Sequence, residues 1–358
     1  MEQRRDLGAV LVAGGGGWVG SFLVRALEQR SVELGVTRVV VADPRVQQRR
    51  PDSAGIPVED LPVDISDSEG VEALFLSARP DTVVNLAAVI DVRPEGDAAR
   101  LDAVNNLGAG ILLDAASRHR AKAFIHVSTL DAAWTQRPMV LHAPDPPGDL
   151  QTESAIAYVR SKARGEARAH AAAAGGDRLS VVVLRPAHIF GDLSRGDPLA
   201  HYIRTTPPLR IGDPAVRMSM VCVSRVVEAI LRVAVRSEAL HGRTYALKDV
   251  DANFFQFYQE RILGRCCWPL IRIPAGLALL AAHAADMWFR AVAAARCVCC
   301  KRSAGGDSPG TLRSALLHWA RPLLERHPMK CIAADGLRQA LVNLTVDDST
   351  TRRDLGSF

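Results

Sequence analysis

A glycine-rich turn near the start of the chain constrains the fold more than any other stretch of the sequence. The apolar residues 10–13 lead into four consecutive glycines, and residues 21–27 have a helical pattern. Gly14, Gly17 and Gly20 are spaced so that the turn can be tight, backbone N–H groups can approach a phosphate, and the helix can pack closely on the strand. The helix N-terminus adds its positive dipole. The stretch therefore predicts a dinucleotide site, with a plain strand-to-helix connector as the alternative.

An acidic residue follows the glycines at the distance that such a site requires. The second apolar run, residues 37–42, ends at Asp43, and a carboxylate about 20 residues past the turn can accept a hydrogen bond from a ribose 2′-hydroxyl. We therefore predict NAD as the cofactor, because the 2′-phosphate of NADP would meet this carboxylate. Arg45, Arg49 and Arg50 partly offset that repulsion, which leaves NADP as the less favoured cofactor.

Apolar strand-like runs alternate with helix-like runs through the first half of the chain. Continuous apolar strands separated by helices predict a parallel sheet covered on both faces. We predict an α/β fold, with a Rossmann-type doubly wound parallel sheet at 7–190. A smaller, mostly helical substrate region is expected at 191–358, with a return strand near 243–248 that rejoins the sheet. Within the first part, Ser66 is the expected N-cap of a helix, with Glu69 completing a capping box.

Composition excludes some classes of function. The chain has 358 residues and a net charge of +5, and its arginines are scattered, which argues against a nucleic-acid partner. The charged N-terminus shows no signal peptide, and an odd set of seven cysteines is expected to be reduced in a cytosol-facing protein. The cysteines at 297–300 lack a second pair at zinc spacing, so we predict no metal site. They are interpreted as helix-end thiols, or as palmitoylation sites beside an interfacial helix.

Residues 274–296 are strongly apolar, yet their uninterrupted run at 274–282 is far shorter than the roughly 20 residues of a membrane span. His283, Asp286 and Arg290 would form one narrow polar stripe on a helix. The segment is interpreted either as a helix packed over a lipophilic pocket or as an interfacial helix lying on a membrane. We therefore expect peripheral membrane contact through 270–300, at the cytoplasmic face of the endoplasmic reticulum, or else a cytoplasmic location.

Tyr158 and Lys162 lie four residues apart, on one face of a predicted helix. A phenol titrates near 10 and is a poor base at neutral pH, and an adjacent ammonium would lower its pKa. The pair is interpreted as catalytic rather than as a surface pair because it follows the fifth strand of a dinucleotide-binding pattern. Ser128 and Thr129 end that strand, where a hydroxyl can hold a substrate oxygen or cap a turn.

Taken together, these residues resemble the extended short-chain dehydrogenases/reductases, and within them the 3β-hydroxysteroid/sterol dehydrogenases. The matching pieces are the glycine turn, Asp43, Asp64-Ile65, Asn85-Leu86-Ala87-Ala88, Asn105, Gly108, Ser128-Thr129, Tyr158, Lys162 and Leu184-Arg185-Pro186. The resemblance implies that Thr129, Tyr158 and Lys162 are catalytic, with Ser128 as the fallback for Thr129. It also implies cofactor contacts at Gly14, Gly17, Trp18, Val19, Gly20, Asp43, Asp64, Ile65, Ala87, Tyr158, Lys162 and Pro186.

The resemblance also implies an activity, the NAD-dependent oxidation of a 3β-hydroxyl on a steroid or sterol to the 3-ketone. Decarboxylation would follow if the substrate carried a 4-carboxylate. Tyr158 would take the hydroxyl proton, the apolar C-terminal third would wall the pocket, and a homodimer is expected. Two alternatives stay open. One is a nucleotide-sugar epimerase or small-carbonyl reductase, which requires a polar, charged pocket, and the other is a non-catalytic cofactor-binding scaffold.

Overall fold

Strands and helices alternate along the first half of the chain. The structure is a computed structural model, and it describes residues 5–46, 55–91, 97–142, 149–176, 178–191, 209–262, 271–284, 287, 337 and 340–356. Its strands are β1 (Gly8–Ala13), β2 (Val36–Ala42), β3 (Val58–Leu61), β4 (Thr82–Asn85), β5 (Ala123–Val127), β6 (Met139–His142), β7 (Ser180–Pro186), β8 (His188–Phe190), β9 (Leu209–Ile211), β10 (Met218–Cys222), β11 (Thr244–Leu247), β12 (Val250–Ala252), β13 (Ile271–Ile273) and β14 (Leu344–Asp347).

The helices pack around these strands. They are α1 (Trp18–Gln29), α2 (Ser31–Leu34), α3 (Ser68–Ala78), α4 (Ala98–Asp102), α5 (Ala109–Arg118), α6 (Ala157–Ala174), α7 (Val223–Val235), α8 (Phe254–Phe257) and α9 (Ser349–Leu355). A π-helical turn at Ala103–Gly108 joins α4 to α5, a second at Tyr258–Ile262 extends α8, and a 3-10 turn at Leu130–Ala133 follows β5. Residues 275–284 are also helical.

The central sheet contains seven parallel strands in the order β11-β7-β5-β4-β1-β2-β3. From β1 the chain builds outward through β2 and β3, and it then crosses back to start the other half of the sheet at β4. Open α/β sheets bind ligands at such a reversal, outside the carboxyl ends of the strands. Ala13 at the end of β1 pairs in register with Asn85 at the end of β4, so the segments that follow these two strands meet at the reversal.

Both faces of the sheet are buried. Along β1, Val10 and Val12 pack into one hydrophobic cluster with residues of α1 and α7, and Leu11 and Ala13 pack into a second with residues of α3 and α5. This double covering explains why the strands are apolar along their whole length rather than in alternation. The predicted Rossmann-type parallel sheet is confirmed.

A second, smaller layer lies beyond the end of β7. Its strands run in the order β12-β10-β14-β6, with β8 also paired to β10, and β9 pairs separately with β13. β14 lies between β10 and β6, so residues near the C-terminus complete a sheet that begins before α6. The described part of 191–358 thus contributes strands as well as helices.

The apolar helical segment 275–284 is only partly covered. Ala282 is buried against Leu337, whereas Leu277 and Leu280 are 60% and 67% exposed. Among the described residues, no helix is both long enough and apolar enough to cross a membrane. Both interpretations of 270–300 stay predictions, and the cysteine cluster at 297–300 lies outside the described residues.

The start of α3 differs from the expected one. Asp67, not Ser66, is the N-cap, and its carboxylate accepts a hydrogen bond from the Glu69 nitrogen at 3.1 Å. The Ser66 hydroxyl instead donates to Asp64 at 2.7 Å. Two carboxylates flank Ser66, and a charged acceptor forms the stronger cap and turn hydrogen bonds.

Candidate active site and cofactor cradle

The glycine turn after β1 leaves no room for side chains. Gly14 has φ +79°, and a Cβ atom on it would lie 2.6 Å from the Ala87 nitrogen. A Cβ atom on Gly20 would lie 2.5 Å from the Gly14 carbonyl oxygen. Gly17 is the N-cap of α1 and makes no side-chain capping bond, so the first N–H groups of the helix, from Trp18 onwards, suit an anion.

Trp18 is the first residue of α1 and lies beside the turn. Its ring packs edge-on against Phe22, with 6.2 Å between ring centroids, and a Cβ atom on Gly191 would lie 3.0 Å from it. The indole nitrogen is buried and has no hydrogen-bond partner among the described residues. An orphaned donor next to an uncapped helix N-terminus fits a polar ligand bound at this turn.

Asp43 follows β2 and is 2% exposed. One of its oxygens accepts hydrogen bonds from the Arg45 backbone nitrogen at 3.0 Å and Nε at 2.9 Å, and the other accepts from a terminal guanidinium nitrogen of Arg45 at 2.8 Å. Burial opposes ionisation, but these bonds and the Arg45 charge outweigh it and hold the pKa of Asp43 below its usual value. Asp43 is therefore an anion at the predicted ribose position.

Three other predicted cofactor residues, Asp64, Ile65 and Pro186, lie at or shortly after the carboxyl ends of strands of the central sheet. Ile65 is buried, and a Cβ atom on Gly108 would lie 2.8 Å from it. Asp64 is turned toward Ser66, and Pro186 ends β7, where it pairs with Leu247 of β11. The glycine cradle, the helix N-terminus and Asp43 thus fit a dinucleotide, with residues 14–20 holding the pyrophosphate and Asp43 the adenine ribose.

Tyr158 and Thr129 are brought together from different elements. Tyr158 lies in the first turn of α6 and is buried, and its hydroxyl is hydrogen bonded to the side chain of Thr129. The Thr129 hydroxyl also accepts from the Asp131 nitrogen at 3.3 Å, which caps the 3-10 turn after β5. The Thr129 hydroxyl therefore both caps the turn and contacts the tyrosine.

The expectation of a lowered tyrosine pKa is wrong for this structure. Burial raises the pKa of Tyr158, the negative charge of Asp131 raises it further, and the hydrogen bond with Thr129 lowers it only in part. The Lys162 ammonium instead donates to the carbonyl oxygen of Val127 at 3.0 Å. Burial lowers the pKa of Lys162 to about 8, opposed by the charge of Glu166.

Ser128 has a different role from its neighbour. Its hydroxyl donates to Glu166 at 2.6 Å in the protein interior, so Thr129 is the strand-end hydroxyl that faces Tyr158. Glu166 also accepts from Nε of Arg185 at 2.7 Å, and the other guanidinium nitrogens of Arg185 donate to Asp149 at 2.9 and 3.1 Å. Sequence reasoning missed this network, although the four-residue spacing from Lys162 to Glu166 was a signal for it.

An open cavity of about 620 Å³ lies in the second layer. Its lining combines two aromatic rings, two arginines, three carboxylates and two amides: Phe190, Phe257, Arg217, Arg261, Asp249, Asp251, Glu260, Asn253 and Gln256. Phe190 precedes Gly191, which contacts Trp18 of the cofactor cradle. Sequence reasoning placed the pocket wall in the apolar 274–296 segment and missed this charged surface, although the density of acidic and amide residues at 249–261 was visible.

Known proteins share sequence and fold with this chain. The chain is 32% identical over 169 residues to the dTDP-glucose 4,6-dehydratase of Streptomyces niveus, covering 44% of this chain and 47% of that protein, so it spans about half the length of this curated relative. Among solved structures it is similar to the UDP-glucose 4-epimerase of Thermotoga maritima, with 25% identity, a TM-score of 0.58, and 74% and 85% of the two chains covered. It also shares the fold of a dTDP-glucose 4,6-dehydratase from Streptomyces venezuelae solved with NAD bound, at 22% identity and a TM-score of 0.59, with 74% and 84% covered.

The family assignment rests on a sequence match that runs through both halves of the central sheet. Residues 10–247 fit the model of the NAD-dependent epimerase/dehydratase family. This range begins in β1, before the glycine turn, and ends in β11, after Tyr158, Thr129 and Lys162. The match covers well over half of the chain, and the protein therefore belongs to the NAD-dependent epimerase/dehydratase family.

Proposed function

We propose that this protein catalyses an NAD-dependent epimerisation or dehydration of a nucleotide sugar, starting with oxidation of a sugar hydroxyl. The observation that carries the proposal is the charged lining of the 620 Å³ cavity. This reading replaces the steroid oxidation expected from the sequence, and it develops the nucleotide-sugar alternative. The family and its named relatives support it.

The lining suits a ligand with a diphosphate, several hydroxyls and a flat base. Arg217 immediately precedes β10, and its guanidinium donates hydrogen bonds to the carbonyl oxygens of Pro214 at 2.7 Å and Val216 at 3.2 Å. A guanidinium held in this way is a good phosphate ligand, because its planar donors match phosphate oxygens. Phe190 and Phe257 pack with 4.8 Å between ring centroids and offer an aromatic surface.

A steroid would satisfy few of these groups. It has one or two polar atoms on a large apolar skeleton, so the charged groups of the lining would lose water without gaining partners from the ligand. Arg217 and Arg261 would lose most, because Asp249 and Asp251 already pair with Arg225 and Lys248. A sugar ring offers a hydroxyl on most of its carbons, and each can donate to a carboxylate such as Asp251. The cost of removing water from the charged lining is therefore smaller for a nucleotide sugar than for a steroid.

The catalytic step uses the residues at the end of β5 and the start of α6. Tyr158 takes the proton of the reacting hydroxyl, and Thr129 holds the same oxygen through its own hydroxyl. Lys162, anchored on the Val127 carbonyl, supplies positive charge to the site. Because burial raises the pKa of Tyr158, the phenolate needs further positive charge nearby. NAD, when bound, supplies the hydride acceptor and a cationic ring.

Oxidation to a ketone opens both proposed outcomes. Hydride return to the opposite face of the ketone would give an epimer. The ketone also acidifies the adjacent C–H bond, so that the hydroxyl on the next carbon can leave as water. The hydride would then add to the carbon that lost the hydroxyl, and a proton to the carbon beside the ketone. In both cases the hydride is returned and the cofactor is regenerated. Net NADH is therefore not expected, whereas oxidation of a steroid to its ketone would accumulate NADH.

This difference defines the experiment. The purified protein with NAD would be incubated with dTDP-glucose, with UDP-glucose, or with a 3β-hydroxysteroid. We expect a sugar product of equal mass or one water lighter, seen by mass spectrometry and NMR, and no NADH from the steroid. NADH accumulation with the steroid and unchanged sugar nucleotides would overturn the proposal.

A variant of the cavity refines the same test. Arg217→Ala should raise KM for the sugar nucleotide by about tenfold or more, because a charge-assisted phosphate contact is lost, and should leave NAD binding unchanged. The matched control is Arg353→Ala, which removes a 70%-exposed arginine that pairs with Asp354 on α9 and is not among the residues lining the cavity. Equal KM values for the two variants would contradict phosphate binding at Arg217.

A further inference from the structure

One face of α6 carries three buried polar side chains at four-residue intervals. Tyr158 is in the first turn, and Lys162 and Glu166 follow it. Lys162 donates to the Val127 carbonyl at 3.0 Å, and Glu166 accepts from the Ser128 hydroxyl at 2.6 Å. Helix α6 thus forms hydrogen bonds with Val127 and Ser128, the two residues immediately before Thr129.

The residues after Thr129 are held as well. The Gln151 nitrogen donates to the Ala132 carbonyl at 2.8 Å, and the Gln151 side chain donates to the Asp149 carbonyl at 2.8 Å. Asp149 in turn receives two hydrogen bonds from Arg185. Arg185 is therefore the common anchor, since its Nε also binds Glu166.

We propose that Glu166 and Arg185 are positioning residues, which fix the Thr129 hydroxyl against Tyr158 by holding the chain on both sides of it. The inference rests on the proposed function of Thr129 and Tyr158. Glu166 and Arg185 would then affect the rate by positioning Thr129 and not by contact with the substrate.

The burial of this ion pair supports a role beyond stability. Glu166 is fully buried and Arg185 is nearly so, and moving both charges out of water costs much of what their attraction returns. Burial opposes ionisation of Glu166, but the hydrogen bond with His170, the Arg185 charge and the Ser128 hydroxyl keep its pKa below the usual value. A buried charge is a poor source of stability, yet a multidentate carboxylate is a rigid geometric anchor.

The contact that transmits this geometry can be removed without breaking the ion pair. Ser128→Ala deletes the hydroxyl that joins β5 to Glu166 and leaves Arg185 and Glu166 together. Ser128→Thr keeps a hydroxyl at the same position and serves as the conservative rescue. Glu166→Gln removes the charge itself, and Glu228→Gln is its control, because Glu228 pairs with Arg30 and Arg232 and contacts none of the residues of this network.

The experiment compares kcat, KM for the sugar nucleotide and the Kd for NAD across these variants, together with Tm. We expect Ser128→Ala and Glu166→Gln to lower kcat by about 10- to 100-fold, because small displacements of a reacting group have effects of this size. Their KM and Kd values should stay within about twofold. Ser128→Thr should keep kcat close to the wild-type value, as should Glu228→Gln.

The failures can be told apart. A wild-type value of kcat in Ser128→Ala would overturn the positioning role, and so would a loss of kcat that only tracks loss of Tm and NAD binding. If Glu166→Gln does not fold, the comparison of Ser128→Ala with Ser128→Thr still tests the positioning role. If the wild-type protein converts no sugar nucleotide, the proposed function fails instead. The positioning role of Glu166 and Arg185 is then tested by amide hydrogen exchange at 123–133 in the NAD-bound protein. Faster exchange in Ser128→Ala would support that role, and unchanged exchange would overturn it.

Discussion

Arg45 and Asp43 form a bidentate pair at the end of β2, with a largely exposed guanidinium covering a carboxylate that is 2% exposed. The pair lies where the adenine ribose of the cofactor is expected. Arg45 pairs with the carboxylate that would accept the ribose hydroxyls, so we expect the selectivity for NAD to depend on both residues.

Asp43→Asn should weaken NAD binding by about tenfold, which corresponds to roughly 1.4 kcal/mol. The same change should narrow the preference for NAD over NADP, because Arg45 is freed to meet a 2′-phosphate. Titration of tryptophan fluorescence with each cofactor measures both constants. Asp67→Asn, at the N-cap of α3, is the control, and an unchanged ratio of the two Kd values in Asp43→Asn would contradict the ribose assignment.

Gly20→Ala should weaken NAD binding and lower stability by about 1–3 kcal/mol. Its Cβ atom would lie 2.5 Å from the Gly14 carbonyl oxygen, so α1 must move away from the turn. Denaturant melts and NAD titrations measure the two effects. Gly276→Ala is the matched control, since a Cβ atom there meets nothing within 4 Å, and equal behaviour of the two variants would rule out the close approach.

Tyr158→Phe should lower kcat by about 10²- to 10⁴-fold, the range for loss of a general acid–base group. NAD affinity should be nearly unchanged, because the aromatic ring and its packing remain. The control is Tyr245→Phe, which removes a phenol bonded to Asp354 at 3.1 Å, away from the site. Substantial turnover in Tyr158→Phe would remove Tyr158 from its assigned role.

The pH profile of kcat/KM should respond to Asp131. A general base acts in its deprotonated form, so activity rises with pH through its pKa. The charge of Asp131 raises the pKa of Tyr158, and Asp131→Asn should therefore move the rising limb to lower pH.

Thr129→Val should move the same limb in the opposite direction. Its hydroxyl lowers the pKa of Tyr158 through a hydrogen bond, and the valine side chain keeps the size and removes that bond. Profiles measured in parallel form an internal control. If the rising limb of the pH profile moved in the same direction in Asp131→Asn and Thr129→Val, a group other than Tyr158 would control it.

The site was only partly visible in the sequence. Gly14, Asp43, Tyr158 and Lys162 could be named because fixed local spacings impose their geometry: a turn, a strand end and one helix face. The spacing of Tyr158 and Lys162 did not reveal how Lys162 would be used. Its ammonium binds the Val127 carbonyl, and burial sets the pKa of Tyr158, neither of which a helical repeat encodes.

The proposed substrate cavity is formed by contacts between distant segments. Arg217 immediately precedes β10, and Phe190 ends β8. The two residues come together because β8 pairs with β10. The apolar character of 274–296 suggested a lipid substrate, whereas the lining of the described cavity comes from 190, 217 and 249–261. Composition of one segment does not indicate which segment will face the ligand.

The sequence by itself determined the parallel sheet, the glycine turn and the position of the acidic residue after β2, because each follows from short-range sterics and from the periodicity of apolar residues. Only the tertiary structure decided that Ser128 is bound to Glu166 and that Thr129 faces Tyr158. It also brought charged residues around the cavity. These features depend on which elements pack together, and packing is set by burial across the whole chain rather than by any local pattern.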